Sequence, residues 1–120
     1  MAKVIRQRYV IEGFDCGADI TLEKVISFLR KLIDLIEVKV LFGPFAVEIP
    51  ALYDKDKYGI TAAVIFLESS AVLHSWGEYN FVTLDLYSCK EYNWKKVKDL
   101  FQDTFMPIKV REIKDYDDTV

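Results

Sequence analysis

Residues able to do nucleophilic or proton-transfer chemistry are concentrated in the segment FLESSAVLHSWGEYNFVTLDLYSC, residues 66–89. A carboxylate, Glu68, directly precedes Ser69, and the only histidine of the chain, His74, follows five residues after that serine. Cys89, one of two cysteines, ends the segment. A hydroxyl, an imidazole and a thiol that converge in space can perform acyl chemistry, in which a nucleophile attacks a carbonyl carbon and a base takes its proton. These residue types leave several reactions open, among them that of a Cys-His hydrolase.

Each of these residues, taken alone, is more often structural than catalytic. A lone histidine beside a tryptophan on a strand is usually packed or at the surface. A cysteine at a strand end is usually a small buried hydrophobic residue, and a Glu-Ser-Ser turn is an ordinary hairpin connection. Their combination within one segment is what favours a catalytic site.

The segment also predicts the local structure that would bring these side chains together. Strands are predicted over 60–67, 72–76 and 81–87, which are rich in β-branched and aromatic residues and are separated by the turns ESSA and GEYN. If the second and third strands form a hairpin, His74 and Cys89 lie on adjacent strands or at their ends. The ESSA turn then lies at one end of the same sheet.

The flanking segments supply two helices and the remaining strands. Apolar residues at spacings of three and four predict a helix within residues 19–36, with Asp19 or Thr21 as its N-cap. Trp94–Phe105 has helical spacing as well, and Pro107 ends it. Further strands are predicted over 4–14, 38–42 and 108–113, with a long loop over 43–59 and a frayed acidic tail over 114–120.

This order of elements predicts an α+β fold in a single domain covering residues 1–120. The expected architecture is a two-layer α/β sandwich, with a mainly antiparallel sheet and two helices on one face. The other face should be partly apolar, which favours a homodimer.

Composition and charge exclude several classes of protein. A net charge of −3 leaves no dominant basic face, so we expect no nucleic-acid partner. No stretch is long and apolar enough to span a bilayer, and the N-terminus lacks an apolar signal core. Two cysteines are too few for a disulfide framework, and one histidine with two distant cysteines makes a poor metal site. We therefore expect a soluble, cytoplasmic protein that binds no metal and does not enter the membrane.

The segment ESSAVLHSWGEYNFVTLDLYSC resembles the signature of the prokaryotic S-adenosylmethionine decarboxylases. That signature runs roughly Glu-Ser-His, then His-Thr-Trp-Pro-Glu-Tyr, then a strand that ends in Thr-Cys. The Glu-Ser pair, the histidine, the tryptophan, the Glu-Tyr pair and the cysteine match it in register without a gap. YGITAAVIFLESS, YVIEGFDC and the helix that begins at Trp94 are also similar to the family, so the resemblance covers most of the chain.

The resemblance implies a proenzyme that cleaves itself between Glu68 and Ser69. The Ser69 hydroxyl would attack the Glu68 carbonyl and convert the peptide bond to an ester. His74 would assist the β-elimination that follows, and hydrolysis of the resulting dehydroalanine would leave a pyruvoyl group at position 69. Thr61 stands where the family has a serine that helps processing, and it keeps the hydroxyl.

The resemblance also implies the roles of other residues. The pyruvoyl ketone would form a Schiff base with the amine of S-adenosylmethionine and accept the electrons left by CO₂, and Cys89 would donate a proton to the product carbon. Glu78 would hold the ribose hydroxyls or balance the substrate charge, Trp76 would help to bind the substrate, and an aromatic ring would stack on the adenine. Phe42 and Phe45 are the candidates for that ring. The product would supply polyamine (spermidine) synthesis, and the family implies a homodimer of cleaved protomers.

The chain departs from the family pattern in ways that leave alternatives open. Ser70 replaces the histidine after the cleaved serine, Gly77 replaces a proline, the segment 44–58 is longer than its counterpart, and the turn after Cys89 is shorter. Related pyruvoyl enzymes decarboxylate arginine, whose guanidinium would need carboxylates. A non-processing, non-catalytic relative that binds a ligand or a partner subunit is the third possibility. The acidic residues available to an arginine site in the predicted loop are Glu48, Asp54 and Asp56.

Overall fold

The computed structural model of the chain describes residues 2–49 and 58–120. In these residues six strands form one antiparallel sheet, and two α-helices pack against it. The predicted α+β sandwich is therefore confirmed. The elements run, in chain order, β1 (Lys3–Phe14), α1 (Leu22–Ile36), β2 (Val40–Ile49), β3 (Gly59–Phe66), β4 (Ser69–Trp76), a 3₁₀ turn (Gly77–Tyr79), β5 (Phe81–Ser88), α2 (Trp94–Phe105) and β6 (Lys109–Thr119).

The sheet has the strand order β2-β3-β4-β5-β1-β6. Strands β3, β4 and β5 form a meander, in which Thr61 pairs with His74 and His74 pairs with Thr83. Strand β1 lies between β5 and β6, so the first strand of the chain is internal while β2 and β6 are the edges. This topology places the N-terminal strand beside the strand that leads to Cys89.

Helix α1 forms because its ends are capped and one face is apolar. The Thr21 side chain accepts a hydrogen bond from Lys24 N at 3.1 Å, and Glu37 ends the helix in the left-handed conformation. The buried side chains recur every three or four residues, as a helix with one face on a sheet requires: Val25, Phe28, Leu29, Leu32 and Ile36.

Helix α2 is capped by Asn93, whose side chain accepts hydrogen bonds from Lys95 N and Lys96 N. Its buried Phe101 packs so closely on β1 that a Cβ at Gly13 would lie 2.9 Å from the Phe101 ring. Glycine at position 13 therefore lets the helix approach the sheet. The rings of Phe28 and Phe105, whose centroids are 5.1 Å apart, join the two helices over the core.

The face of the sheet away from the helices carries exposed apolar side chains. Phe42, Val47 and Ile65 are each about half exposed or more. The prediction of a partly apolar second face is confirmed, and this surface is called the open face below. Its large apolar members include Phe42, Phe45, Val47, Ile65, Trp76 and Ile113.

The predicted loop over 43–59 was wrong for its first part, because β2 continues through Ile49 and pairs with β3 as far as Gly59. The glycine and proline that suggested a loop lie where the register shifts between Phe42 and Phe45, and Gly43 has a φ of 97°. An edge strand accommodates such an irregularity because one of its sides has no partner. Asp54 and Asp56, the proposed arginine ligands, lie outside the described residues.

The predicted frayed tail was also wrong, because β6 extends to Thr119 and pairs with β1. The acidic residues of this edge strand face cations of its neighbour: Asp117 pairs with Arg6, with 3.4 Å between the charged atoms. Glu112 likewise accepts a hydrogen bond from Tyr9 of β1 at 2.7 Å. Cross-strand pairing thus orders a segment whose composition alone suggests a solvated tail.

Candidate active site

The Glu68–Ser69 bond lies at the end of the β3–β4 hairpin. Phe66 pairs with Ser69, so Leu67 and Glu68 form a two-residue turn. Glu68 has a φ of 61°, a left-handed conformation that favours glycine or asparagine. A glutamate there carries strain of roughly 1–2 kcal/mol. The peptide bond predicted to break is therefore held in a strained turn.

Ser69 is the first residue of β4 and is only 8% exposed. The predicted ESSA turn is thus shorter than expected, and both serines belong to the strand. The Ser69 Oγ accepts a hydrogen bond from Cys89 N at 3.0 Å. The Ser69 hydroxyl and the Cys89 backbone are therefore neighbours.

Thr61 and His74 form a second pair, with Thr61 Oγ1 and His74 Nδ1 at hydrogen-bonding distance, 3.1 Å. They are directly paired across β3 and β4, and both are partly buried. The His74 ring lies 6.2 Å from the Trp76 ring, between centroids. The hydroxyl at position 61 thus orients the only imidazole of the chain.

The expected convergence of all three groups does not occur within one chain. Side chains alternate along β4, so Ser69 faces the helices with Ala71 and Leu73, while His74 lies on the open face. Five residues of extended strand also separate Ser69 from His74 by roughly 16 Å at about 3.3 Å per residue. The structure therefore contains two clusters, Ser69 with Cys89 and Thr61 with His74.

The predicted substrate-binding residues lie with the second cluster or on the open face. Glu78, in the 3₁₀ turn after β4, accepts a hydrogen bond from Tyr58 N at 3.4 Å. The rings of Trp76 and Phe81 lie 5.2 Å apart. Phe42 and Phe45 project from β2 with their ring centroids 5.7 Å apart, and Phe45 pairs with Ala63, two residues from Thr61.

A cavity of about 550 Å³ opens beside the cleavage turn. Its walls include the first residues of β1 and the last residues of β6, so residues from near both ends of the described chain lie at the site. The residues of β6 in this wall cannot be anticipated from the sequence, because their acidic composition predicts a frayed tail. The lining residues are Lys3, Val4, Ile5, Glu68, Cys89, Tyr116 and Asp118.

Residues 2–49 and 58–120 contain no group of three or more His, Cys, Asp or Glu side chains placed to hold a metal ion. None of their helices is long and apolar enough to cross a membrane.

Curated relatives of two activities match parts of the chain. An arginine decarboxylase proenzyme of Aeropyrum pernix is 38% identical over 50 residues, which are 40% of this chain and 38% of that protein. An S-adenosylmethionine decarboxylase proenzyme of Thermoplasma volcanium is 33% identical over 66 residues, 55% of this chain and 51% of the relative. Another, of Sulfurisphaera tokodaii, is 52% identical over 31 residues, 26% of this chain and 25% of the relative. The chain thus matches about half or less of the length of these relatives.

The fold and the family are matched over nearly the whole chain. The crystal structure of the adenosylmethionine decarboxylase from Aquifex aeolicus VF5 superimposes with a TM-score of 0.76 and 16% identity, over 99% of this chain and 95% of the other. The S-adenosylmethionine decarboxylase family matches residues 7–114. This chain therefore belongs to the S-adenosylmethionine decarboxylase family.

Proposed function

We propose that the protein is a self-processing, pyruvoyl-dependent decarboxylase of S-adenosylmethionine. The observation that carries the proposal is the contact of Ser69 with Cys89 at a strained Glu68–Ser69 turn, since the Cys89 amide lies 3.0 Å from the Ser69 hydroxyl oxygen. A hydroxyl next to the bond to be cut, and a cysteine next to the group that cleavage would create, support this proposal.

Self-cleavage needs only groups of the chain and water. The Ser69 Oγ attacks the Glu68 carbonyl carbon, the C–N bond breaks, and an ester with a free Ser69 amine results. A base removes the Ser69 α-proton, the Cβ–Oγ bond breaks, and the α-carboxylate of Glu68 leaves. Dehydroalanine remains at position 69. Its imine tautomer takes up water and releases ammonia, which leaves fragments 1–68 and 69–120 and a keto group at position 69.

The surroundings of position 69 suit a pyruvoyl group. It supplies a ketone that takes up the substrate amine and the electron pair left when CO₂ departs. The Cys89 thiol lines the 550 Å³ cavity at this point, where it serves as the proton donor. Because Ser69 is buried against the Cys89 turn, water has limited access to the reacting atoms.

We also propose a homodimer in which each site is built from both protomers. Thr61 and His74 lie on the open face, too far from Ser69 of their own chain to move its proton. Packing the open faces of two copies together covers the exposed apolar side chains and brings the imidazole of one protomer to the open-face side of the other's cleavage turn. The imidazole would act there on the Ser69 α-proton and not on the Ser69 side chain, which faces the helices.

S-adenosylmethionine suits the predicted substrate-binding groups better than arginine does. Phe42 and Phe45 offer aromatic surfaces for an adenine or a sulfonium, and Glu78 offers a carboxylate for the ribose hydroxyls. The resemblance to the arginine decarboxylase proenzyme of Aeropyrum pernix keeps arginine as the second candidate. The decarboxylated product would enter spermidine synthesis in the cytoplasm.

The test compares purified wild-type protein with Ser69→Ala and with Ser70→Ala, the neighbouring serine whose side chain lies on the other face of β4. Wild type and Ser70→Ala should separate into two fragments, the second with a blocked N-terminus, and should release labelled CO₂ from carboxyl-labelled S-adenosylmethionine. Ser69→Ala should stay intact and release none. Release from arginine alone would overturn the substrate but not the self-cleavage. A wild-type chain that stays intact would overturn the whole proposal in favour of a non-catalytic relative.

A further inference from the structure

Gln7 of β1 is a polar side chain in the core, and it is only 1% exposed. Its Nε2 donates a hydrogen bond to Tyr92 O at 2.8 Å, and its Oε1 accepts one from Tyr92 N at 3.1 Å. The amide thus pairs with the backbone of one residue as a strand neighbour would. Glutamine suits this task because it offers a donor and an acceptor at once, whereas glutamate offers only acceptors and methionine neither.

Tyr92 belongs to the segment 89–93, which joins β5 to α2 and lies in neither a strand nor a helix. Its hydroxyl donates to Leu86 O at 3.3 Å and lies 3.5 Å from Gln7 O. Burial, and to a smaller extent Asp85, raises the pKa of Tyr92, so the hydroxyl keeps its proton. Tyr92 therefore fixes one end of the segment to β1 and to β5.

The other end of the same segment carries Cys89. Ser88 Oγ donates to Lys90 O at 2.7 Å and accepts from Lys90 N at 2.9 Å, which closes a tight turn around the cysteine. Cys89 N in turn donates to Ser69 Oγ. With Ser88 at one end and Tyr92 at the other, the backbone of Cys89 has little freedom to move away from position 69.

We propose that Gln7 is a positioning residue, which holds Cys89 against position 69 through the backbone of Tyr92. The inference rests on the proposed function for its consequence in catalysis, but the mechanical link can be measured separately. Proton transfer requires donor and acceptor within about 3 Å, and a misplacement of about 1 Å can cost on the order of 10²-fold in rate. A loop without ladder partners reaches such precision only if side chains fix it.

The main variant is Gln7→Met, which keeps the length of the side chain and removes both hydrogen bonds to Tyr92. The matched control is Tyr9→Phe, on the same strand and fully buried, which loses only the hydrogen bond to Glu112. If Gln7→Met fails to fold, Gln7→Leu is the second apolar variant; it also removes both hydrogen bonds to Tyr92, so the same direction of change is expected.

The first measurement does not depend on catalysis. Hydrogen exchange at the Tyr92 and Cys89 amides, and the rate at which iodoacetamide alkylates Cys89, should each rise about 10-fold or more in Gln7→Met, because opening of the segment is no longer opposed. Both rates should stay within about twofold of wild type in Tyr9→Phe. Buried Cys16, whose pKa is raised by its burial, is the internal reference for alkylation.

The second measurement is kinetic. Self-cleavage and kcat for CO₂ release should fall about 10-fold or more in Gln7→Met, while KM stays within about twofold of the wild-type value because the substrate contacts are untouched. Amide exchange and alkylation of Gln7→Met within twofold of wild type would overturn the proposal. If the wild type does not cleave itself, the proposed function fails, and the exchange and alkylation rates still decide whether Gln7 holds the segment.

Discussion

Cys16 and Cys89 are both free thiols in the described part of the chain, but their surroundings give them different chemistry. Cys16 is 6% exposed, its thiol donates to Gly13 O at 3.6 Å, and burial followed by the nearby Asp15 raises its pKa. Such a thiol behaves as a small core residue. Cys89 is half-buried, lines a cavity and donates its backbone N–H to Ser69, and it is the thiol that we propose as the proton donor.

Glu112 is a carboxylate with three side-chain partners on different elements of the fold. It accepts hydrogen bonds from Lys98 at 2.9 Å and from Tyr9 at 2.7 Å, and Lys114 lies 3.6 Å away. The hydrogen bond from Lys98, followed by that from Tyr9, lowers the pKa of Glu112 despite some desolvation. This group ties β6 to β1 and to α2, so it acts on the stability of the fold and not on the site.

We predict that Glu112→Gln lowers the free energy of unfolding near neutral pH by about 1–3 kcal/mol, the scale of a charged hydrogen bond. The pKa of Glu112 is lower in the folded chain than its ordinary value of 4.5, so the unfolded chain binds more protons in the acid range. The stabilisation is therefore present above that value and is lost as the pH falls through the folded pKa. Urea titrations at neutral pH and near pH 3 should show the gap between wild type and variant closing in acid. An equal difference in the free energy of unfolding at the two pH values would contradict the assignment of this pH dependence to Glu112.

The start of β3 requires a glycine because it runs against β4. A Cβ at Gly59 would lie 2.2 Å from Ser75 O, and Ile60 N already donates to Ser75 Oγ at 3.0 Å. Thr61 and His74 lie directly beside this contact. The close approach of the two strands therefore sets the geometry of the Thr61–His74 pair.

We predict that Gly59→Ala lowers the free energy of unfolding by about 1–3 kcal/mol, the usual cost of overpacking, and slows self-cleavage by displacing Thr61 from His74. The control is Gly17→Ala, whose Cβ would lie 3.5 Å from Met106 O, an ordinary contact. That variant should stay within about 0.5 kcal/mol of wild type. Chemical denaturation and gels of the cleavage time course measure both effects. Self-cleavage at the wild-type rate in a folded Gly59→Ala chain would show that the contact between Gly59 and Ser75 does not affect processing.

The helices and the central strands could be predicted from the sequence because their hydrophobic periods are long and regular. The edge strands could not, since β2 contains Gly43 and Pro44, and β6 is stabilised by pairs such as Arg6 with Asp117 that only the tertiary structure brings together. The site residues could be named from the family resemblance, but not their arrangement. The sequence predicts Ser69 in a turn, whereas in the structure it is the first residue of β4. Because Ser69 and His74 are five residues apart on one strand, their side chains lie on opposite faces of the sheet.

At the scale of the whole molecule, the open face is the surface through which we propose that a second copy brings the two separate clusters together. Its apolar side chains, among them Phe42 and Ile65, are about half exposed in the structure of residues 2–49 and 58–120. A second copy with the same face would bury them by twofold symmetry. The same packing would bring the Thr61–His74 pair of one copy to the Ser69–Cys89 pair of the other. Self-cleavage would therefore depend on assembly of the dimer.

We predict that two uncleavable variants restore each other's function in a mixed dimer. Ser69→Ala and His74→Ala, each alone, should stay intact. When both are co-expressed with different tags and purified through both tags in turn, the His74→Ala chain should be cut, because its Ser69 meets the imidazole of the Ser69→Ala partner. The Ser69→Ala chain has no hydroxyl at position 69 and should remain intact. Denaturing gels that resolve the two tags show which of the two chains has been cut.

Wild type paired with Ser69→Ala is the positive control, since its wild-type chain should be cut whichever copy supplies the imidazole. An intact His74→Ala chain in a mixed dimer whose positive control is cut would mean that His74 acts within its own chain. Failure of the two tags to purify together at micromolar protein concentrations would overturn the dimer itself.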